Sequence, residues 1–222
     1  MATLAELKSL VAGDLDRSVE VVAAHLSNWI NEELEDIQDQ ALWWFLLAWR
    51  DFSTSANQAY YDLPSDLGQT LVLYLVESGT YAPLNDADLA GLRAQYGDGT
   101  PASQPVAFAQ DPSTGTPGRL LLAPTPDAEY SMSHHYRKRL TRLTADAHSN
   151  FLTLEHPALV EYGAAARGAF ILGDRQLAAD LAMLRGSEFA KLWRRHAAYT
   201  RKGPLQLVPR LNAGKSTSRI RG

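Results

Sequence analysis

The sequence holds no cysteine among its 222 residues. That excludes a disulfide-stapled fold, thiolate metal ligation and a cysteine nucleophile. It also lacks a long apolar run. The longest, ALWWFLLAW at Ala41–Trp49, falls well short of the ~20 residues a membrane-spanning helix needs, and reads as core. The opening residues, MATLAELKSLVAGDLDR, carry neither the basic nor the apolar stretch of a secretory leader. The expectation is a soluble protein made in a cytoplasm, with no membrane partner. Acidic residues are missing from one end: Phe189–Gly222 holds nine bases and no acid, whereas Met1–Asp66 holds twelve acids against three bases. The net charge of −4 hides this polarity. It suits an electrostatic docking tail better than a general nucleic-acid binder.

Patterns that carry chemistry are equally scarce. The histidines at 25, 134, 135, 148, 156 and 196 show neither HxxxH nor HExxH spacing, which argues against zinc. His134 and His135 fall in the run EYSMSHHYRKRL, read as a strand. Side chains alternate along a strand, so Tyr130, Met132, His134 and Tyr136 share one face, and Ser131, Ser133, His135 and Arg137 the other. The two imidazoles therefore diverge, and His134 reads as a core histidine. NAGKST at Asn212–Thr217 looks like the end of a phosphate-binding loop, but Pro209 stands where the motif needs glycine. The acidic cluster Glu32, Glu33, Glu35 and Asp36 has the composition of a general acid–base pair. It reads more simply as a solvated helix face. Trp43–Trp44 reads as core or interface rather than a sugar platform, and no GxSxG elbow is present. No catalytic, cofactor-binding or metal-binding set can be assembled, so the expectation is a protein that is not an enzyme.

What is present divides the chain into four stretches. At 45% apolar, it can fill one large or two small cores. Residues 1–44 read as helices: Thr3–Gly13, with Thr3 and Glu6 forming a capping box, then Ser18–Gln40, with apolar residues at three- and four-residue steps from Val19 to Ile37. Residues 45–140 read as an antiparallel β region. It comprises a hairpin over Phe45–Pro64 and strands at Gln69–Val76, Tyr81–Leu84, Val106–Gln110, Arg119–Pro124 and Glu129–Leu140. One small helix is inserted over Asn85–Gly97, capped by Asn85 or Asp86. Pro124–Asp127 reads as the turn between the last two strands. Residues 141–202 read as two helices packing with the N-terminal ones. The first has Pro157 in its opening turn and small residues at Gly163, Ala164, Ala165, Ala166 and Gly168. The second has Leu177, Leu181, Leu184, Phe189, Leu192, Trp193 and His196 on one side. Residues 203–222 have no helical period and read as an extended basic tail. The fold class is α+β.

The order of certain short motifs is more specific than any one of them. WWFLLAWRDFSTSANQAYYDLPSDL is followed by GDGTPASQPVAFAQ, then GRLLLAPTPDAEYSMSHHYRK, then a helix opening LEHPALVEYGAAARGAFILGD and one through FAKLWRRHAAY. This order resembles the head-to-tail adaptor proteins of tailed bacteriophages. Trp43 or Trp44, Tyr61, Leu63, Pro64, Gly99, Pro101, Leu122, Pro124, Pro126, Tyr130 and Tyr136 stand at the matching positions, and the resemblance spans Ile30–Tyr199. It departs from the usual pattern in the added helix between Thr70 and Tyr96 and in His134–His135, where a tyrosine is more usual.

The resemblance implies a structural virion protein of the neck, assembled in the host cytoplasm. Such proteins form a ring, usually of twelve copies, beneath the portal. They extend the DNA channel and dock the tail or a stopper or nozzle protein. Genomic DNA passes without sequence-specific binding. The helices pack side to side around the ring, which would use Gly163, Ala164, Ala166, Arg167 and Gly168. The C-terminal arm reaches the portal, which would use Arg201, Lys202, Leu205, Leu207, Val208, Arg210, Leu211, Lys215, Arg219 and Arg221. Glu32, Glu33, Glu35 and Asp36 would form an acidic lumen or partner face, since negative walls repel phosphate. The alternative is a DNA-binding virion or packaging protein that uses the basic tail.

Overall fold

A helical layer and a β-sandwich share the chain, joined where α2 turns into the first strand. The computed structural model describes residues 2–97, 100–115 and 117–200. Helices α1 (Leu4–Asp14) and α2 (Val19–Asp39) open it, and α4 (Phe151–Glu155), α5 (Pro157–Ile171) and α6 (Arg175–Thr200) close it. Strands β1 (Leu47–Ser53), β2 (Tyr60–Asp62), β3 (Leu67–Glu77), β4 (Thr80–Pro83) and β5 (Asn85–Asp86) precede α3 (Leu89–Gln95). Then come β6 (Ala107–Asp111), β7 (Arg119–Ala123) and β8 (Ser131–Lys138). The α+β reading holds.

The capping box forms as expected: the Thr3 N–H donates to the Glu6 carboxylate at 2.8 Å, and the Thr3 hydroxyl accepts from the Glu6 N–H at 3.4 Å. Along α2 the three-and-four spacing puts Val22, Leu26, Trp29, Ile30, Leu34 and Ile37 inside. They meet Leu7 and Val11 of α1, Leu159, Val160 and Ala164 of α5, and Leu192 of α6 in one apolar core. Ser18 occupies the α2 N-cap position but makes no side-chain cap bond. The short helix α4 is an addition to the expected pair. Asn150 and Thr153 cap it reciprocally.

The β region differs from expectation in its connections. One sheet runs β1-β8-β3-β4 and the other β2-β7-β6-β5. The expected hairpin over Phe45–Pro64 does not form: β1 pairs with β8, and β2 pairs with β7 in the facing sheet. Pro124–Asp127 likewise lies on a crossover between sheets, not in a turn within one. The two crossovers run side by side and hold each other. The Thr54 N–H donates to the Tyr130 carbonyl at 2.9 Å, the Thr54 hydroxyl donates to the Ala128 carbonyl at 3.0 Å, and the Asn57 N–H donates to the Pro126 carbonyl at 2.7 Å. These bonds satisfy polar groups that a two-residue hairpin would have paired locally.

The core face read for β8 is present, but Ser133 of the opposite face is buried as well, donating its hydroxyl to Asp51. Met132, His134 and Tyr136 are buried, and Met132 and Tyr136 pack with Leu73, Leu75, Phe108, Leu120 and Leu122 between the sheets. The apolar run in β7 has a different reason. Leu120 and Leu122 face the sandwich core, while Leu121 and Ala123 face Leu92 of α3 on the other side. A strand covered on both faces reads as a continuous apolar run. Asn85 and Asp86 do not cap α3. They pair in parallel with Ala107 and Phe108, and Asp88 caps the helix by accepting from the Gly91 N–H at 2.7 Å.

Candidate functional site

α2, α5 and α6 meet at a charged junction inside the helical layer. Glu33 projects from α2 into α5 at Gly163, where any added Cβ would fall inside its carboxylate. It is only 3% exposed and accepts from the Arg185 guanidinium of α6 at 2.7 Å. Burial pushes the Glu33 carboxyl up to about 6, against the opposing pull of Arg185. Around it, Arg167 of α5 pairs with Glu32 at 3.3 Å and with Asp36, and Arg142 pairs with Glu35 at 3.3 Å. The acidic cluster is therefore not simply a solvated face. Glu33 is inside, and the other three carboxylates stay exposed at the mouth of the junction, each beside an arginine of the same chain.

The small residues of α5 have the same explanation. Gly163, Ala164, Ala165 and Gly168 are buried within the protomer. Gly168 admits the Trp29 ring and Leu15, and an added Cβ there would sit 2.7 Å from the indole. Gly163 packs on Glu33 of this chain's own α2, Gly168 on Trp29 and Leu15, and Ala164 lies in the same helical core. Ala166 and Arg167 are half-buried.

A second cluster gathers where α6 ends. Trp43 is fully buried, and its indole N–H donates to the Ile37 carbonyl at 2.6 Å. Its ring meets Phe189, Trp193 and His196 of α6 edge-on, with centroids 5.0 to 5.9 Å apart. Trp44 stacks on His196 and Tyr199. Arg195 lies over Trp44 and Phe151 and pairs with Glu155 at 2.9 Å. Rings in these offset and edge-on arrangements, with a cation above, fix the last three turns of α6. That helix ends at Thr200, the last of the described residues. Leu184 and Trp193, expected inside with the rest of their face, are about half exposed.

A family model described as the SU10 adaptor protein matches residues 2–208. The chain belongs to the SU10 adaptor protein family. No curated protein matches it. Membership gives the protein a structural role as a phage adaptor, working with other head and tail proteins in the neck of the virion.

Several positions that carried the sequence resemblance hold the adaptor fold at its joints. The Tyr61 hydroxyl accepts from the Ser55 N–H and donates to the Gln58 carbonyl, each at 2.9 Å. Tyr130 donates to Asp127 at 2.6 Å, and Tyr136 to Asp66 at 3.0 Å. Leu63 and Leu122 lie in the sandwich core. Gly99 and the tail residues Arg201, Lys202, Leu205, Leu207, Val208, Arg210, Leu211, Lys215, Arg219 and Arg221 lie outside the described residues.

His134 is buried against the Thr70 hydroxyl, with its Nε2 3.1 Å away, and burial lowers its imidazole to about 4. Among the described residues no three His, Asp or Glu side chains gather as a metal ion would require, and no helix is long and apolar enough to cross a membrane. Sequence reasoning missed Arg185 as the partner of Glu33. It also missed Asn31, whose buried amide accepts from the Leu143 N–H at 2.8 Å and donates to the Leu143 carbonyl at 3.0 Å. Both contacts join residues more than a hundred positions apart, and no local pattern announces them.

Proposed function

We propose that this adaptor assembles as a ring beneath the portal, extends the DNA channel and presents a docking surface to a tail, stopper or nozzle protein. The observation that carries this reading is the match of one adaptor family model to residues 2–208, which takes in the helical layer, the sandwich and the start of the tail. Rings of this family usually hold twelve copies. The tail bases Arg201, Lys202, Arg210, Lys215, Arg219 and Arg221 dock on acidic portal surface, with Leu205, Leu207, Val208 and Leu211 as apolar anchors. A ring of such tails binds through avidity, which offsets the ordering of each one. The exposed carboxylates Glu32, Glu35 and Asp36 face the lumen or a partner. Arg142 and Arg167 balance much of their charge, so the face offers DNA no net basic surface to hold its phosphates. Ala166 and Arg167, half-buried in the protomer, contact the next copy.

The test mixes purified portal rings with the full chain and with a chain ending at Lys202, read by mass in solution and negative-stain images. A stoichiometric ring added by the full chain alone supports both the adaptor reading and the docking tail. A ring added by both chains keeps the adaptor and removes the tail from docking. If neither chain binds portal, the reading is wrong, and titration of duplex DNA across a salt series tests the basic tail as a DNA-binding arm.

A further inference from the structure

One sheet edge of the sandwich is long and open. Edges present unpaired backbone groups, and proteins guard them by short strands, proline or cover. β2 has three residues, and its Tyr60 carbonyl accepts from the Gln58 side-chain amide at 2.9 Å. β4 has four residues and ends in Pro83, and β5 has two. β1 has seven residues and no proline.

The free groups of β1 follow from its register. Thr54, just past the strand, donates its N–H to the Tyr130 carbonyl. Phe52 then stands opposite Met132, Arg50 opposite His134 and Ala48 opposite Tyr136. Only alternate residues of an antiparallel strand bond a given neighbour, so Ala48, Arg50 and Phe52 turn their N–H and C=O groups to β8. Leu47, Trp49, Asp51 and Ser53 turn theirs outward. The Leu47 N–H donates to the Trp44 carbonyl. Among the described residues, the outward N–H and C=O groups of Trp49, Asp51 and Ser53 have no partner. The Trp49 side chain beside them is 71% exposed.

We propose that the chain's own segment Pro204–Arg210 pairs with this edge in the free protein, as a fifth strand parallel to β1. Position favours this occupant. The outward Leu47 N–H bonds back to Trp44, so the turn Trp44–Leu46 lies on the open side of the strand. The Trp44 ring stacks on Tyr199 with centroids 6.0 Å apart. The open edge therefore begins beside the last turn of α6. The six-residue step from Tyr199 to Leu205 spans up to ~20 Å when extended, which brings Leu205 to the start of β1.

The placement of proline favours the same occupant. In a parallel pair, a residue donates to the carbonyl one before its opposite and accepts from the N–H one after. With Leu205 opposite Trp49 and Leu207 opposite Asp51, the carbonyls of Pro204, Gln206 and Val208 accept from Trp49, Asp51 and Ser53. The N–H groups of Gln206, Val208 and Arg210 donate back to the same three residues. Pro204 and Pro209, which have no N–H, fall where none is used. A slip of one residue either way would call on the missing Pro209 N–H. Leu205 and Leu207 then share the face of Trp49, and Val208 lies beside the half-buried Phe52. Pro209 sits on the new outer edge and guards it in turn. The proposal concerns the chain before any partner is present, so it goes beyond the portal reading and stands or falls without it.

Amide hydrogen exchange, resolved by residue, tests it in the full chain and in a chain ending at Lys202. The Trp49, Asp51 and Ser53 amides are expected to exchange at least ~10-fold more slowly in the full chain. Ala48, Arg50 and Phe52, already bonded to β8, should differ little between the two. Val208→Pro in the full chain removes one donor outside the described fold, and should return the three amides to the rates of the shortened chain. Equal rates in the two chains, no response to Val208→Pro, or slowing shared equally by Ala48, Arg50 and Phe52 would overturn the proposal. Protection that grows with protein concentration would also overturn it, and would put a second copy on the edge.

Discussion

Glu33 and Gly163 form a single residue-scale device, a carboxylate brought into a helix interface by the absence of a side chain opposite. Gly163→Ala is expected to lower stability by ~1–3 kcal/mol, the range for overpacking a filled core. Urea unfolding at neutral pH measures it, and an unchanged midpoint would mean that α5 simply shifts. Titration gives the second residue-scale prediction. The folded state holds the Glu33 proton up to about 6, above its ordinary value of 4.5. This contribution to stability is fully present below about 4.5 and is lost as pH rises through about 6. His134 acts in the opposite sense. Its folded value of about 4 lies below the ordinary 6.5, so its contribution is present above 6.5 and lost as pH falls through about 4. The bulk pH profile mixes the two, and comparison with Glu33→Gln separates them. Between pH 7 and pH 4.5 the natural protein should gain about 2 kcal/mol relative to that variant, from the shift at this site.

At the scale of elements, two joints determine how the helical layer meets the rest. Asn31 reproduces a strand-like pair of bonds with Leu143, pinning the segment between β8 and α4 against α2. Asn31→Ala leaves the buried N–H and C=O of Leu143 without partners. It should destabilise by ~1–3 kcal/mol, with hydrogen exchange at Leu143 rising well above that of its neighbours. The other joint is the aromatic cluster at the end of α6. Trp43→Ala removes the ring that Phe189, Trp193 and His196 pack against. The expected loss is ~3–5 kcal/mol, as for other buried aromatics. Exchange from Trp193 to Thr200 should accelerate more than in α5. Loss spread evenly over the helices would show that the cluster does not specifically hold the α6 end.

At the scale of the whole molecule, the charge polarity sets the expected behaviour. Docking that depends on the six tail bases from Arg201 to Arg221 should weaken steeply with salt, because exposed charges are screened within ~10 Å at 0.1 M. A chain ending at Lys202 should lose most of that salt dependence. Portal binding by the full chain that does not change from low to high salt would assign docking to the apolar residues or to the folded body instead.

How much was legible in the sequence follows from how local each cause is. The capping box of α1, the faces of α2, the core face of β8 and the Pro157 start of α5 depend on residues within one or two turns of each other, and all were readable. The order of short motifs carried the adaptor family. Three features depended on tertiary structure. The expected hairpin became two strands in opposite sheets, because β8 and β7 offered longer partners than β1 and β2 offered each other. One member of the acidic cluster, Glu33, became part of an interior junction, because Arg185 arrives from a helix more than a hundred residues away. The small residues of α5 serve this chain's own α1 and α2, because Trp29 and Glu33 occupy the space they leave. Periodicity says which side of an element is apolar or small. Which surface fills that side is decided only when distant segments compete for it in three dimensions.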